Sequence, residues 1–145
     1  MINPSNCRII AIGKVRKRWI QEGINLYLKR IPGLTITEIR DSNISKEGKE
    51  IKLSIKDNET AILLSEDGEM MTSIELSTRI NKLGNKRLVF IINGPNGISP
   101  EINDLIFMKL SLSPLTFPHE VARLILIEQL YRSHTIAKGS PYHRA

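Results

Sequence analysis

The sequence predicts an α/β fold with a parallel sheet at its centre and helices on both faces of that sheet. Residues 60–65 (TAILLS) and 87–93 (RLVFIIN) are continuous apolar segments of strand length. Such segments are typical of strands buried on both faces, as in parallel sheets. Strand and helix patterns also alternate along the chain. With 145 residues, of which 41% are hydrophobic and 25% charged, we expect one domain spanning residues 1–145.

The first sixty residues predict two strands and a helix, followed by a charged segment of mixed character. Residues 8–13 are a short β-branched run closed by a glycine, and residues 19–31 have apolar side chains at loosely helical spacing. Residues 34–39 alternate between apolar and polar side chains, which indicates a half-buried strand. Residues 42–58 fit either an exposed helix or a mobile loop.

The rest of the chain has stronger signals. Thr72 and Glu75 stand in capping-box spacing at the start of an amphipathic pattern that closes at Gly84. Ser99 and Pro100 are in the order expected for the N-cap and first turn of another helix. The predicted elements are a strand at 60–65, a loop at 66–71, a helix at 72–84, a strand at 87–93, a helix at 100–108, a strand at 109–113 and a terminal helix at 119–134.

Three loops follow three of these strands, at residues 65–68, 93–97 and 113–118. If the strands are parallel neighbours, the loops meet at one edge of the sheet and form a ligand pocket. Gly94 and Gly97 let the backbone approach a ligand closely. A pocket of backbone donors and acceptors suits an adenine edge and a ribose better than a triphosphate, and neither a P-loop nor a dinucleotide-binding glycine motif is present. Ordinary turns are the alternative explanation of the glycines.

The charge balance favours a polyanionic partner. Lysine and arginine number 21 against 15 aspartates and glutamates, which gives a net charge of +6. The cations are most concentrated at Lys14, Arg16, Lys17 and Arg18. This segment is either an RNA contact or an ordinary solvated face, and the pattern leaves both open.

Several other classes of protein are not indicated. The chain has no secretory signal pattern and no apolar run of the roughly 18 residues that span a bilayer, so we expect a cytoplasmic protein without membrane contact. The single Cys7 is expected to be a reduced bystander. The three histidines are scattered and lack a second ligand at suitable spacing, so no metal site is expected. No G-x-S-x-G motif indicates a nucleophilic serine.

The terminal helix and the residues after it are the most unusual part of the sequence. The helix is apolar nearly all round, so a core or a partner must bury it, and a symmetric dimer would do so. His119 is either a neutral hydrogen-bonding ring or a cap, and Arg132 is either a functional cation or an interface residue. Tyr142, His143 and Arg144 can stack, exchange a proton and bind a phosphate. We interpret this tail as one half of a catalytic site.

Three motifs together resemble the RlmH family of the SPOUT superfamily, small methyltransferases that act on a pseudouridine of large-subunit ribosomal RNA. The motifs are INGPNG at residues 92–97, LSLSPLTFPHEVARLILIEQLYR at 110–132 and PYHRA at 141–145. The resemblance covers nearly the whole chain and is strongest from Ala61 to the end. Each motif alone is weak, but their combination at these spacings is highly specific.

The resemblance implies a trefoil-knotted α/β fold, with the C-terminal helix threaded through a loop, an exception to the rule that chains avoid knots. It also implies a homodimer with the active site at the interface, and S-adenosylmethionine bound in a bent form among the knot loops. The middle loop of the family usually has two adjacent glycines, and here the first is Asn93. The implied cofactor contacts are Leu64, Asn93, Gly94, Leu112, Ser113, Pro114, Leu115, Thr116 and Phe117.

The reaction implied by the resemblance is methylation of N3 of a pseudouridine in a stem-loop of 23S ribosomal RNA, within the large subunit or the assembled ribosome. We expect His143 or Tyr142 to contact the target base, and Arg132 or Arg144 to stabilise charge or hold phosphate. The segment from Lys14 to Arg18 would then bind the RNA backbone. The alternatives are a related methyltransferase with another ribosomal or transfer RNA target, and a non-catalytic ribosome-associated RNA-binding protein.

Overall fold

The structure, a computed structural model, describes residues 3–144 and contains one five-stranded parallel sheet. Met1, Ile2 and Ala145 lie outside the described residues, so the tail motif is described as far as Arg144. The strands are β1 (Cys7–Ile12), β2 (Thr35–Ile39), β3 (Glu59–Met70), β4 (Arg87–Ile92) and β5 (Ile106–Ser111). The helices are α1 (Arg18–Arg30), α2 (Ile44–Ser54), α3 (Ser73–Lys82) and α4 (His119–Ala137), with 3₁₀ turns at Pro4–Asn6 and Pro100–Leu105.

Every strand pair is parallel, in the spatial order β2-β1-β4-β3-β5. The predicted parallel sheet is therefore confirmed. The strands that precede the three predicted ligand loops, β4, β3 and β5, are direct neighbours. Because parallel strands all end at the same edge, their following loops lie side by side.

The core lies on both faces of the sheet. On one face α1, α3 and α4 pack over alternate strand residues such as Ile9 and Phe90, and on the other α2 and the second 3₁₀ turn pack over Ile10 and Ile91. These four side chains have no exposed surface. This burial explains the continuous apolar runs in the sequence, because both faces of β1 and β4 are covered by a packed layer.

Helix α3 begins with the capping box that the sequence predicted. The Thr72 hydroxyl accepts a hydrogen bond from the Glu75 amide at 3.1 Å, and the Glu75 carboxylate accepts one from the Thr72 amide at 3.0 Å. Two amides at the helix start are thereby paired, which stabilises a helix by about 1 kcal/mol. Gly84 follows the helix with a φ of +62°. That conformation is the left-handed one for which glycine is favoured after a helix.

The predicted loop at 66–71 is wrong, because β3 continues to Met70. Its pairing with β5 shifts register at this point: Leu64 and Glu69 both lie opposite Leu110, so the residues between them bulge out of the sheet. A Cβ on Gly68 would lie 2.8 Å from the Leu110 amide nitrogen. Gly68 thus marks a close approach of backbone to β5, and the sequence could not distinguish this from a loop.

The predicted helix at 100–108 is also wrong in type and in length. Ser99 does cap it, accepting from the Glu101 amide at 3.3 Å, but the element is a 3₁₀ turn that ends at Leu105. Strand β5 then begins at Ile106, three residues before the predicted start, because Ile106 and Met108 pair with β3. Tertiary pairing with a neighbouring strand overrides the local helical pattern here.

The ambiguous segment at 42–58 contains helix α2. Asn43 caps it by accepting from the Lys46 amide at 2.9 Å. One side of the helix is buried through Glu47, Gly48 and Ile51, while its lysines are exposed. No helix within residues 3–144 is long and apolar enough to cross a membrane.

Candidate cofactor cavity and C-terminal cluster

One cavity of about 730 Å³ lies at the carboxyl ends of β4, β3 and β5. Its volume is within the range of small-molecule sites. All three of the loops that were predicted to converge contribute to its wall, as does the first turn of α4. The lining residues are Leu64, Ser65, Glu66, Asp67, Ile92, Asn93, Gly94, Pro95, Gly97, Ile98, Leu112, Ser113, Leu115, Thr116, Phe117, Pro118, His119 and Ala122.

The predicted cofactor contacts nearly all lie in this wall. Pro114, which is exposed, is the exception. The residues brought together are Leu64, Asn93, Gly94, Leu112, Ser113, Leu115, Thr116 and Phe117. Ser65, Glu66 and Asp67 also line the cavity, as expected for the predicted pocket loop at 65–68, although the family resemblance implied no cofactor contact for them. They reach the cavity because the bulge of β3 turns them out of the sheet.

The glycine loop after β4 is a tight turn packed against β1. The Gly97 amide donates to the Gly94 carbonyl at 3.2 Å, and Gly97 has a φ of +83°. A Cβ on Gly94 would lie 2.8 Å from the Ile12 Cγ2 atom. The loop therefore needs glycine at both positions, at Gly94 for space and at Gly97 for conformation.

The cavity combines apolar walls with a few polar groups. Leu64, Ile92 and Leu115 supply apolar surface. A hydrogen bond from the Ser65 hydroxyl, aided by Lys109, holds the pKa of Asp67 below its usual value, so this carboxylate is ionised at neutral pH. The Asn93 side-chain oxygen is buried and has no hydrogen-bond partner within residues 3–144. Such a group is an acceptor available to a ligand donor after a small shift.

His119 lies in the cavity wall as the first residue of α4. The cap interpretation is wrong, because the N-cap is Pro118 and no side chain caps the helix. The neighbouring Glu120 instead accepts hydrogen bonds from the Arg16 and Lys17 amides at 2.9 and 3.1 Å. These hydrogen bonds lower the pKa of Glu120, and the one from the Lys17 amide contributes most. The basic segment after β1 is thus attached to the start of α4.

The C-terminal tail packs on the second half of α4, around Glu128. This carboxylate accepts from the Arg132 guanidinium at 2.6 and 3.0 Å and from the Tyr142 hydroxyl at 3.0 Å. Arg132 in turn lies 3.0 Å from Nδ1 of His143 and 4.8 Å from the centre of the Tyr142 ring. Tyr131 meets the same ring edge-on at 4.6 Å between centroids. Three of the four predicted catalytic residues therefore form one cluster, while Arg144 is exposed.

The contacts of the cluster set the tautomer of a neutral His143 and raise the pKa of Tyr142. Arginine is only a donor, so Nδ1 of His143 accepts and a neutral ring carries its proton on Nε2. Burial, together with hydrogen bonding to Tyr27 and Glu128, raises the pKa of Tyr142 above its ordinary value. Tyr142 is therefore a neutral phenol at physiological pH. Within residues 3–144, Nε2 of a neutral His143 is left as a free donor, whereas the Tyr142 hydroxyl already donates to Glu128.

Within one chain, the tail cluster and the cavity are separate. None of Glu128, Arg132, Tyr142 and His143 lines the cavity, and Ala122 is the last residue of α4 that does. Arg132 is ten residues further along the helix, which corresponds to about 15 Å at the usual rise. The structure thus brings together the predicted cofactor residues in one place and the predicted catalytic residues in another.

The basic segment is exposed, but its members are not equivalent. Lys14 and Arg16 line a groove beside the cavity, whereas Lys17 and Arg18 do not. Arg18 pairs with Glu22 at 3.1 Å on the surface of α1. The arginine in the middle of α4, Arg123, is buried and pairs with Glu38 at 2.6 Å. Its role is to hold α4 to the end of β2.

Glu128 was missed by sequence reasoning. A usable signal existed, since Glu128 precedes Arg132 by four residues on a helix, the spacing of a stabilising ion pair. The cations and aromatic rings of this region stand out in the sequence, while the carboxylate that orients them looks like one more polar residue of a helix.

The chain matches the family model described as "Predicted SPOUT methyltransferase" over residues 5–143. It is 58% identical over 144 residues to "Ribosomal RNA large subunit methyltransferase H" of Synechococcus sp. (strain CC9311), covering 99% of this chain and 100% of that protein. A protein of the same name from Prochlorococcus marinus (strain MIT 9211) is 56% identical, covering 99% of both chains. Another, from Parasynechococcus marenigrum (strain WH8102), is 55% identical, covering 99% of this chain and 100% of that protein.

Proposed function

The chain belongs to the SPOUT methyltransferase family, and we propose that it methylates N3 of a pseudouridine in 23S ribosomal RNA with S-adenosylmethionine as methyl donor. The proposal is supported by relatives that are similar over their full length and are named as methyltransferases of large-subunit ribosomal RNA. The single structural observation that carries it is the cavity formed by the bulge of β3 and the loops after β4 and β5.

The residues of the cavity fit S-adenosylmethionine. Apolar side chains from three loops can enclose the adenine ring, and the glycine turn presents backbone groups to its edge. The ionised Asp67 and the unpartnered oxygen of Asn93 can accept from the donors of the ligand, its ammonium and its ribose hydroxyls. Asn93 would thereby act as a ligand acceptor at the position where the family pattern has the first of its two adjacent glycines.

The chemistry requires alignment of the methyl group with N3 and stabilisation of the anion that forms as N3 is deprotonated. When bound, S-adenosylmethionine supplies a methyl group already activated on its sulfonium. Alignment of that group with the target nitrogen can contribute about 7 to 11 kcal/mol in the best cases. As N3 releases its proton to a water molecule, negative charge develops on the pyrimidine carbonyl oxygens. The Nε2–H of His143 and the guanidinium of Arg132 are groups that stabilise such a charge.

The cavity and the tail cluster can act on one nucleotide only if two chains cooperate. Since Arg132 lies about 15 Å along α4 from the cavity wall, the proposal includes a homodimer in which the tail of one subunit completes the cavity of the other. Ile125 and Ile136 are only half-buried on α4. A partner helix would bury them.

The proposed function is tested by nucleoside mass spectrometry of ribosomal RNA after reaction with methyl-deuterated S-adenosylmethionine. Ribosomes from a strain that lacks the modification are the substrate, and the variant without residues 142–145 is the control. We expect a deuterated methyl group on one pseudouridine of 23S RNA with the full chain and none with the control. A label on another ribosomal or transfer RNA nucleotide would reassign the target. No label, together with no binding of S-adenosylmethionine by calorimetry, would refute methyl transfer.

A further inference from the structure

A second groove, of about 1150 Å³, lies directly beside the cofactor cavity. Pro95 and His119 line both, so the two spaces share a wall. The groove is bounded by the connection after β1, which includes Lys14 and Arg16, and by the connection after β2, which includes Arg40. It therefore occupies the same carboxyl edge of the sheet as the cavity, over the strands β2 and β1.

A third groove, of about 1000 Å³, continues from the second along α2. The two share residues 38–42, and the third adds Lys46 and Lys49 from the helix. We call the second and third grooves together the basic track. The track runs from the wall of the cofactor cavity to the exposed side of α2.

The cations of the basic track are free to bind a polyanion. Lys14, Arg16, Arg40, Lys46 and Lys49 are exposed, and within residues 3–144 none of them forms an ion pair. A row of exposed cations without carboxylate partners is the electrostatic footprint of nucleic-acid binding.

The carboxylates of the track offset these cations only in part. Glu38 is already paired with Arg123 at 2.6 Å, and Glu120 accepts from two backbone amides. Asp41 and Glu50 are the remaining carboxylates in the wall of the two grooves. Glu120 keeps its charge, so three carboxylates without a cation partner in the described part of the chain stand against five cations and the track has a positive balance.

We propose that the basic track holds the RNA strand that carries the target nucleotide, with its phosphates on Arg40, Lys46 and Lys49 as well as on Lys14 and Arg16. This inference rests on the proposed function. The base to be methylated must leave its stack to reach the cavity, which calls for a single strand at the entrance. The wall shared through Pro95 and His119 is where that base passes from the track to the cofactor. Lys17 and Arg18 lie outside the track.

The test compares two double variants that remove the same charge. Arg40→Gln with Lys49→Gln removes two cations from the track. Lys29→Gln with Lys86→Gln removes two exposed cations outside it: Lys29 is in the last turn of α1, and Lys86 comes just before β4, at the opposite edge of the sheet. Binding to a short labelled single-stranded RNA and to purified large ribosomal subunits is measured over a range of KCl concentrations. S-adenosylhomocysteine titration verifies that both variants keep an intact cofactor cavity.

We expect the track variant to lower the slope of log affinity against log salt by about 1.4 on single-stranded RNA, since each lost phosphate contact contributes about 0.7. Its KM for ribosomal substrate should rise with little change in kcat, and the control variant should match the wild type. Equal slopes for the two variants would overturn the inference. So would weaker binding to subunits with unchanged binding to RNA, which would indicate a protein partner. Suppose that the wild type methylates ribosomal RNA while the two double variants have equal salt slopes. The basic track then does not bind the RNA strand, and the proposed function still stands.

Discussion

Glu128 connects the side chains of the C-terminal cluster at the scale of single residues. It accepts two hydrogen bonds from Arg132 and one from Tyr142, and Arg132 is what faces His143. Because Glu128 touches neither the cavity nor, in the proposed mechanism, the target base, we infer that it acts by positioning these residues. Its carboxylate raises the pKa of Arg132, and it adds to the effects of burial and of Tyr27 in raising the pKa of Tyr142.

We expect Glu128→Gln to lower kcat about 10- to 100-fold, because hydrogen bonds to a charged group are worth about 1.5 to 3 kcal/mol. The KM for S-adenosylmethionine should not change, since the cavity lies elsewhere on α4. Methyl transfer to ribosomes and calorimetric titration of the cofactor measure the two effects. Glu22→Gln, in an exposed pair with Arg18, is the control. A loss of cofactor affinity equal to the loss of kcat would contradict a positioning role.

Gly94 is the residue of the cavity wall at which an added side chain would collide with β1. A Cβ there meets Ile12 at 2.8 Å, so we expect Gly94→Ala to displace the loop, to cost about 1 to 3 kcal/mol of stability and to weaken cofactor binding at least tenfold. Gly23→Ala is the matched control, since its new Cβ would meet only the terminal methyls of Leu124, nearest at 3.2 Å, which can shift. Calorimetry with S-adenosylhomocysteine measures both. Equal affinity for the two variants would refute the tight packing of Gly94.

The residues of the cavity were predictable because their positions follow from topology. Once the strands are parallel neighbours, the loops after them must meet, and Gly94 and Phe117 follow from their place in those loops, whereas Leu64 was implied only by the family resemblance. Asp67 follows in the same way from the predicted loop at 65–68, but the form of that segment was not predictable. It is a bulge of β3 that depends on a register shift against β5, which is a tertiary event without a local pattern.

At the scale of elements, β1, β3 and α2 are joined by one partly buried ion pair. Arg8 on β1 donates to both oxygens of Glu59 on β3 at 2.6 and 2.8 Å, and also to the Ser54 carbonyl at the end of α2. The Glu59 side chain is only 4% exposed. Burial alone would raise the pKa of Glu59, but the hydrogen bonds from Arg8 and from the Lys56 amide outweigh it, so the pKa lies below its usual value.

A depressed pKa in the folded state means that ionised Glu59 stabilises the fold above its unfolded pKa, near 4.5. This contribution is lost as the pH falls through the lower, folded pKa. We expect Glu59→Gln to cost about 3 to 5 kcal/mol at neutral pH, because it leaves Arg8 buried without its anion. The difference from the wild type should shrink as the pH falls below about 4.5.

Urea denaturation at a series of pH values measures this effect. Glu22→Gln breaks the exposed pair with Arg18, whose side chains are 93% and 66% exposed for Arg18 and Glu22, and should cost less than about 1 kcal/mol at any pH. Curves for Glu59→Gln and the wild type that stay parallel from neutral to acid pH would show that Glu59 has no depressed pKa.

The elements themselves were predictable where local signals and tertiary packing agree. The capping box of α3 and the apolar runs of β3 and β4 are such cases. The second 3₁₀ turn is the opposite case, since Ser99 and Pro100 indicate a helix start correctly and yet β5 pairing ends that helix early. A helix start is a local property, whereas its end here depends on β3, a strand that is distant in sequence.

At the scale of the whole molecule, the central feature is the separation of the cavity and the tail cluster along α4, which are the two halves of the proposed site. The first turn of the helix lines the cavity, and its last turns hold Arg132 and the tail. An antiparallel arrangement of two such helices would bring each tail to the other cavity. Composition and spacing contain no information on this geometry. The trefoil knot implied by the family resemblance also stays a prediction, because threading leaves no local pattern in a sequence.

Mixed dimers test the composite site most directly. One chain carries Gly94→Ala and keeps its tail. The other chain keeps an intact cavity and lacks residues 142–145. The two chains are unfolded and refolded together and then react with ribosomes and deuterated S-adenosylmethionine. If the site combines the cavity of one subunit with the tail of the other, half of the dimers are mixed and each has one intact site. We then expect about a quarter of wild-type labelling of 23S RNA from two chains that are nearly inactive apart. Labelling no greater than the sum of the separate chains would contradict a shared site.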